Sequence, residues 1–442
     1  MRMFVLVALT LALAAQQGLP GLPFKAGPAD LVLALAVAAG GIAVLRRRGR
    51  GVWSWPPVCV SAFAAVILTA GITARLADPS VSMLKEGLQA MEICLAGWLA
   101  WAWLIGGEVR HARTAAAVLV AVTAIEAIAV LGGLFLAGDR FHGGFLTADR
   151  NGFAMPAMTG LPLAAALAAM ARRPVVRAAA CAAIVLLVCA TTAAGALVGG
   201  VAGVIVVALI HPDRRRLLAP GAALLAGLIL TAALPVTRQM AASSIAVHPR
   251  DNRLLRELSD ADEARLTAFH ETYRQWFDDG TALRYRRWGY ALHHAAASPR
   301  SLIIGSGPGS FNTALKPWAA ADGKPPVNTN ETMLFNLAAD EPGSFGAWWV
   351  MLVETGLAGV LALAGLLGAP LAAAVRAARR GSALHAGAAG SLIALLIVCI
   401  FHSPFVTGMN LAVMLVIYLA VMPAEAAPAG GEVSGTRAGA GA

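Results

Sequence analysis

The side chains best suited to chemistry in this sequence are arginines set among aromatic residues and glycines. Arg284-Tyr285-Arg286-Arg287-Trp288 places three guanidinium groups close together. A guanidinium is planar and permanently charged, and its fork of N–H donors matches the oxygens of a phosphate or pyrophosphate. Arg284 is the expected centre of such a site and Arg287 a further contact. Leu283–Ser298 reads as an amphipathic helix, with Trp288, Leu292 and Ala295-Ala296 on one side and Arg284, Arg287 and His294 nearer the other. A second polar stretch holds Arg140 and Arg150, just ahead of an apolar run. Asn151 there can cap the helix that follows, and the exposed N–H groups of a helix start favour an anion. The other reading of both stretches is a solvated helix face, or anchors resting on anionic lipid.

Gly305, Gly307 and Gly309 alternate within Ile304-Gly305-Ser306-Gly307-Pro308-Gly309-Ser310-Phe311. Such a loop can bring backbone N–H groups close to a ligand. It lacks the lysine and the strand-to-helix setting of a P-loop. Elsewhere, Glu92 and Glu126 fall inside apolar runs, with Lys85-Glu86 near a run's end. Carboxylates in a membrane are functional candidates, as proton relays in a transporter for example, or they pair with a neighbouring helix.

The elements that must position these groups are membrane helices. The chain has 442 residues, 58% hydrophobic and 13% charged, with mean hydropathy +0.71. A soluble domain carries about a quarter charged residues. Many runs approach the ~20 apolar residues that cross a bilayer. The short alternating segments of a membrane β-barrel are absent from the sequence. The expected fold is an all-α polytopic membrane protein of about 12 transmembrane helices with one large extracytoplasmic loop. Residues 1–235 hold the first nine helices, residues 236–344 the loop, residues 345–423 the last three helices, and residues 424–442 a disordered cytoplasmic tail. Residues 3–19 could be a signal peptide and are read as the first span; the others are expected at about 30–45, 57–76, 86–105, 114–136, 152–170, 178–192, 195–210, 217–235, 345–374, 384–400 and 408–422. The apolar stretch through Thr191-Thr192-Ala193-Ala194-Gly195 fits the bilayer better as two spans than as one long helix.

The net charge of +10 does not indicate a nucleic-acid partner, because the arginines cluster in short loops. Arg46-Arg47-Arg48, Arg110 with Arg113, Arg172-Arg173 with Arg177, Arg214-Arg215-Arg216, and Arg376 with Arg379-Arg380 all fall on one side when the spans are walked alternately. That side is the cytoplasm by the positive-inside rule, which places both termini there and the large loop opposite. The five cysteines lie in apolar segments without metal-ligand spacing. No metal or cofactor is expected, and a disulfide framework is not.

Three passages, in order, resemble the O-antigen ligase and polymerase-like superfamily of bacterial membrane glycosyltransferases. The first is Arg140 with Gly144-Phe145 and Asn151-Gly152-Phe153-Ala154. The second is Arg284 with Trp288, Ala291, Pro299, Gly305, Gly307, Gly309 and Phe311. The third is Val353-Glu354-Thr355-Gly356-Leu357-Ala358-Gly359. The resemblance covers most of the chain. It implies an inner-membrane enzyme that moves a glycan from an undecaprenyl-pyrophosphate carrier to an acceptor hydroxyl, as a ligase or as a polymerase. A lipid-glycan flippase or transporter is the expectation from another class.

The sequence departs from that pattern at two positions. Phe345 stands where the family usually has a histidine, and Ala194 stands where many members have arginine. A general base for the acceptor is then expected from elsewhere. Asp340 and Glu341 are the nearest candidates, followed by Glu331, His293 and His294.

Overall fold

The computed structural model describes residues 55–77, 109–136, 150–191, 194–211, 213–233, 280–321, 346–401 and 410–422. The expected spans at 3–19, 30–45 and 86–105 lie outside these residues. So do Arg46-Arg47-Arg48, Glu92 and the tail. Among the described residues all regular structure is helical. This follows from composition, because in lipid each backbone donor and acceptor must be satisfied within its own segment.

The bundle contains α1 (Trp55–Ala77), α2 (Val109–Leu136), α3 (Arg150–Met170), α4 (Pro174–Ala190), α5 (Ala194–Ile210) and α6 (Leu218–Ala233). After them come three helices of the polar insert, α7 (Gly280–Ala296), α8 (Pro299–Ile303) and α9 (Phe311–Ala321). The chain returns to the bundle in α10 (Ala347–Arg379), α11 (Ala383–Phe401) and α12 (Asn410–Val421). Five of the described helical segments are long and apolar enough to cross a membrane. They correspond to α2, α3, α6 with the turn before it, α10 and α11.

The apolar stretch around Thr191 divides into two helices. The Thr191 hydroxyl donates to the Leu187 carbonyl at 2.7 Å and closes α4. Thereafter α4 packs on α2, α3 and α6, while α5 packs on α3 and α11.

The centre of the bundle is α3, flanked by α2, α4, α5 and α11. Small residues allow α5 and α11 to approach backbone to backbone. A Cβ at Gly203 would meet the Gly390 carbonyl, and one at Gly390 would meet the Gly203 carbonyl. Close crossing at small residues is how membrane helices gain packing energy without a hydrophobic drive. Nearby, Ser391 donates to the Thr159 carbonyl at 2.6 Å, in the turn that Pro162 disturbs by lacking an N–H.

One cluster fixes the ends of the bundle. Ala169, Val207, Leu217, Ala378 and Ala386 pack together. This gathers the C-terminal ends of α3, α5 and α10 with the starts of α6 and α11. The arginine groups at 172–177, 214–216 and 376–380 therefore share one end. Asp213 organises the middle group, accepting from the Arg215 N–H at 3.1 Å and pairing with Arg216 at 2.9 Å. Helices α7, α8 and α9 pack on the opposite part of α10 and form a cap there.

Candidate functional site

The cap is seated on a break in α10. Gly356 has φ 64° and ψ −161°, so the helix is interrupted there. An interruption leaves carbonyls of the preceding turn without their helical donors. Two of them are taken by the glycine-rich loop: Ser306 N–H donates to the Val353 carbonyl at 2.9 Å and Gly307 N–H to the Glu354 carbonyl at 2.8 Å. Contact at this depth requires glycine on both sides. A Cβ at Gly305 would strike the Glu354 carbonyl group and the Thr355 nitrogen, and one at Gly356 would strike the Ile303 carbonyl group and the Ile304 nitrogen. Gly305, Gly307 and Gly309 all have positive φ, at 79°, 100° and 77°.

The rest of the third passage serves the same seam. Thr355 Oγ1 donates to the Met351 carbonyl at 2.7 Å, and a Cβ at Gly359 would collide with that hydroxyl. The Glu354 side chain is buried, and its Oε1 accepts from the Phe311 N–H at 3.2 Å. It thereby caps the first turn of α9 from a position 43 residues along the chain. The Ser310 hydroxyl donates to the Gly307 carbonyl at 2.6 Å and closes the loop. Helix α8 is itself capped by Ser298, whose Oγ accepts from the Ser301 N–H at 3.0 Å. From α8, Arg300 Nη2 donates to the Thr73 carbonyl at 3.0 Å near the end of α1.

A compact apolar cluster joins the cap to α10: Tyr290, Ala291, Phe311, Leu315, Val350 and Val353. Trp288 stacks on Trp349, with centroids 5.2 Å apart and planes 18° from parallel. His293 stacks on Trp318 at 5.6 Å. His294 Nε2 lies 2.7 Å from Ser306 Oγ. Burial holds the His294 imidazole below its ordinary pKa range.

These positions correct one expectation. On α7 the sequence suggests an apolar side with Trp288, Leu292 and Ala295-Ala296, and Arg284, Arg287 and His294 nearer the other. In the structure Arg287 is 4% exposed and Leu292 is 55% exposed. Both stripes have helical spacing and differ by one residue, or about 100° of rotation. Trp288, stacked on Trp349, and Ala295 pack inward as expected, while Tyr290 and Ala291 pack against α9 and α10 and carry Arg287 and part of His294 inward as well, which leaves Leu292 outside. The N–H groups of the glycine loop also differ from the phosphate-cradle reading. Those of Gly305, Ser306 and Gly307 are bonded to carbonyls of Arg300, Val353 and Glu354, so the loop positions the cap.

Arg284 lies on α7, three residues before Arg287. Arg150 is the first residue of α3, which places Asn151 inside the first turn instead of ahead of it. Arg140, Asp340, Glu341 and Glu331 lie outside the described residues. Glu126 is 3% exposed on α2, which packs against α3 and α4. The seam of loop and broken helix, the Arg300–Thr73 tie and the His294–Ser306 pair are absent from the sequence reading. Two passages rich in glycine were the available signal for the seam. No known family model matches the chain, and no curated protein matches it either.

Proposed function

We propose that the protein is a membrane glycosyltransferase that moves a glycan from an undecaprenyl-pyrophosphate carrier to an acceptor hydroxyl during cell-surface polysaccharide assembly, acting as a ligase. It spans the bacterial inner membrane about 12 times, with the cap on the periplasmic side and both termini in the cytoplasm. The reading is supported by one observation above the others. The second and third passages of the resemblance, 43 residues apart at Phe311 and Glu354, interlock at a single seam. A second support is that three arginine groups share the end of the bundle opposite the cap, as the positive-inside rule requires of an extracytoplasmic cap.

In the proposed reaction the bond between the sugar anomeric carbon and the carrier pyrophosphate breaks. A bond from the acceptor oxygen to that carbon forms, and the acceptor proton passes to a base, with Asp340 and Glu341 the first candidates. The leaving group is a lipid pyrophosphate. Arg284 neutralises the charge that grows on it, with Arg140 or Arg150 as a second contact.

The test is Arg284→Ala in cells lacking the wild-type protein, with surface polysaccharide and its chain lengths read on gels. Loss of attached glycan while full-length chains accumulate on the carrier is the expected ligase result. Single repeat units still joined to an acceptor would assign the protein as a polymerase, which shares the donor chemistry. Normal polysaccharide from a well-expressed variant would overturn the reading and return attention to a flippase or transporter.

A further inference from the structure

We propose that Glu354 is a positioning residue: its carboxylate fixes the cap on the α10 break and thereby sets where α7 and its arginines stand. The inference deepens the glycosyltransferase reading and rests on it for its functional consequence. The geometry comes from the structure alone. Glu354 holds the cap at two points, through its main-chain carbonyl to Gly307 at 2.8 Å and through Oε1 to Phe311 at 3.2 Å.

Those two contacts hold the glycine-rich loop at its middle and at its exit. The first fixes the middle beside Ser306, which in turn meets His294 near the C-terminal end of α7. The second fixes its exit, where α9 starts, and Phe311 then packs with Tyr290 and Ala291 of α7. Helix α7 is therefore reached from Glu354 by two short routes. A carboxylate suits the second contact because it accepts strongly and meets the positive end of a helix dipole. It is also 6% exposed, so water competes little for it.

The experiment is hydrogen exchange on the full-length protein in detergent or nanodiscs, resolved over residues 303–313, for the wild type, Glu354→Ala and Glu354→Gln. Glycan transfer from a lipid-linked donor is measured on the same preparations. Glu354→Ala should speed exchange at Ser306, Gly307 and Phe311 by roughly tenfold or more, leave exchange in α3, α5 and α11 unchanged, and reduce transfer. Glu354→Gln keeps an oxygen acceptor for the Phe311 N–H, so it should restore both protection and transfer to near the wild-type level. If Glu354→Ala fails to accumulate, Glu354→Asp replaces it, since it withdraws the carboxylate by one methylene and should move exchange in the same direction.

Wild-type exchange in Glu354→Ala would overturn the proposal. So would a Glu354→Gln protein with a protected seam and no transfer, because that would give the carboxylate a chemical role. If Arg284→Ala leaves transfer intact, the enzymatic reading fails separately, and the exchange data still decide whether Glu354 holds the cap.

Discussion

Replacing Gly356 with alanine tests the seam most directly. At φ 64°, ψ −161° the backbone occupies a region essentially restricted to glycine, and a side chain there costs about 1–3 kcal/mol in strain. The added Cβ would also press on the carbonyl group of Ile303 and the nitrogen of Ile304. These are backbone atoms that cannot swing aside, and overpacking of that kind costs another ~1–3 kcal/mol. The two effects together oppose docking of the cap by about 2–6 kcal/mol, or roughly 30-fold to 20,000-fold in the ratio of docked to undocked forms. Hydrogen exchange at the Ser306 and Gly307 amides reads that ratio, because both are protected by carbonyls of α10. Gly365→Ala is the control: it lies on the same helix with nothing within 4 Å of its added Cβ. It should be neutral or stabilise by about 0.5–1 kcal/mol. Equal exchange at Ser306 and Gly307 in wild type and Gly356→Ala would refute the reasoning.

Two further outcomes follow from other contacts. Gly203→Ala should lower the thermal midpoint of the purified protein through a loss of about 1–3 kcal/mol, since its Cβ meets the Gly390 carbonyl and the Pro162 ring, whereas Gly221→Ala, with open space around it, should not. The His294 pKa is lowered by burial in the folded cap, so the undocked state binds the proton more readily. Protection of Ser306 should therefore be full above the unfolded value of about 6.5 and fall as pH drops below it, levelling off beneath the depressed folded value. His294→Gln should remove that dependence, and a wild-type profile flat between neutral pH and pH 5 would show that the ring does not report on docking.

Most helices were legible because the apolar runs have the length a bilayer demands. The expected spans at 152–170, 195–210 and 384–400 differ from α3, α5 and α11 by one or two residues at their ends. The helix of the insert was legible too, and its rotation in part, since Trp288 and Ala295 pack inward as expected. Two stripes one residue apart satisfy the same periodicity on α7, and only the facing residues of α9 and α10 decide that Arg287 goes in and Leu292 out. The break in α10 was hidden for a related reason. Glycine is common in membrane helices, and no local pattern marks Gly356, with its positive φ and backbone contacts, apart from Gly365. The alternating glycines of the loop suggested a bound anion because exposed N–H groups serve that purpose. Instead the Gly305 N–H turns back to Arg300, while those of Ser306 and Gly307 meet carbonyls of α10 that follow them by 47 residues, beyond the reach of any local pattern.

The place of the break along α10 has a consequence for how the protein meets its membrane. From Gly356 to Arg379 the helix has 23 steps, or about 35 Å at 1.5 Å each. That is close to the ~30 Å thickness of the hydrocarbon layer. Leu302 and Ile303 are exposed beside the break, as are Leu357 and Leu361 on α10 itself, so apolar side chains face outward on both sides of the seam. Main-chain carbonyls freed among such side chains have few other donors at hand, and the chain supplies them itself. Because residues 303–311 are synthesised before residues 353–359, the seam cannot close until α10 has emerged. The surface at the break is thus completed late in biogenesis, by one part of the chain arriving to finish another.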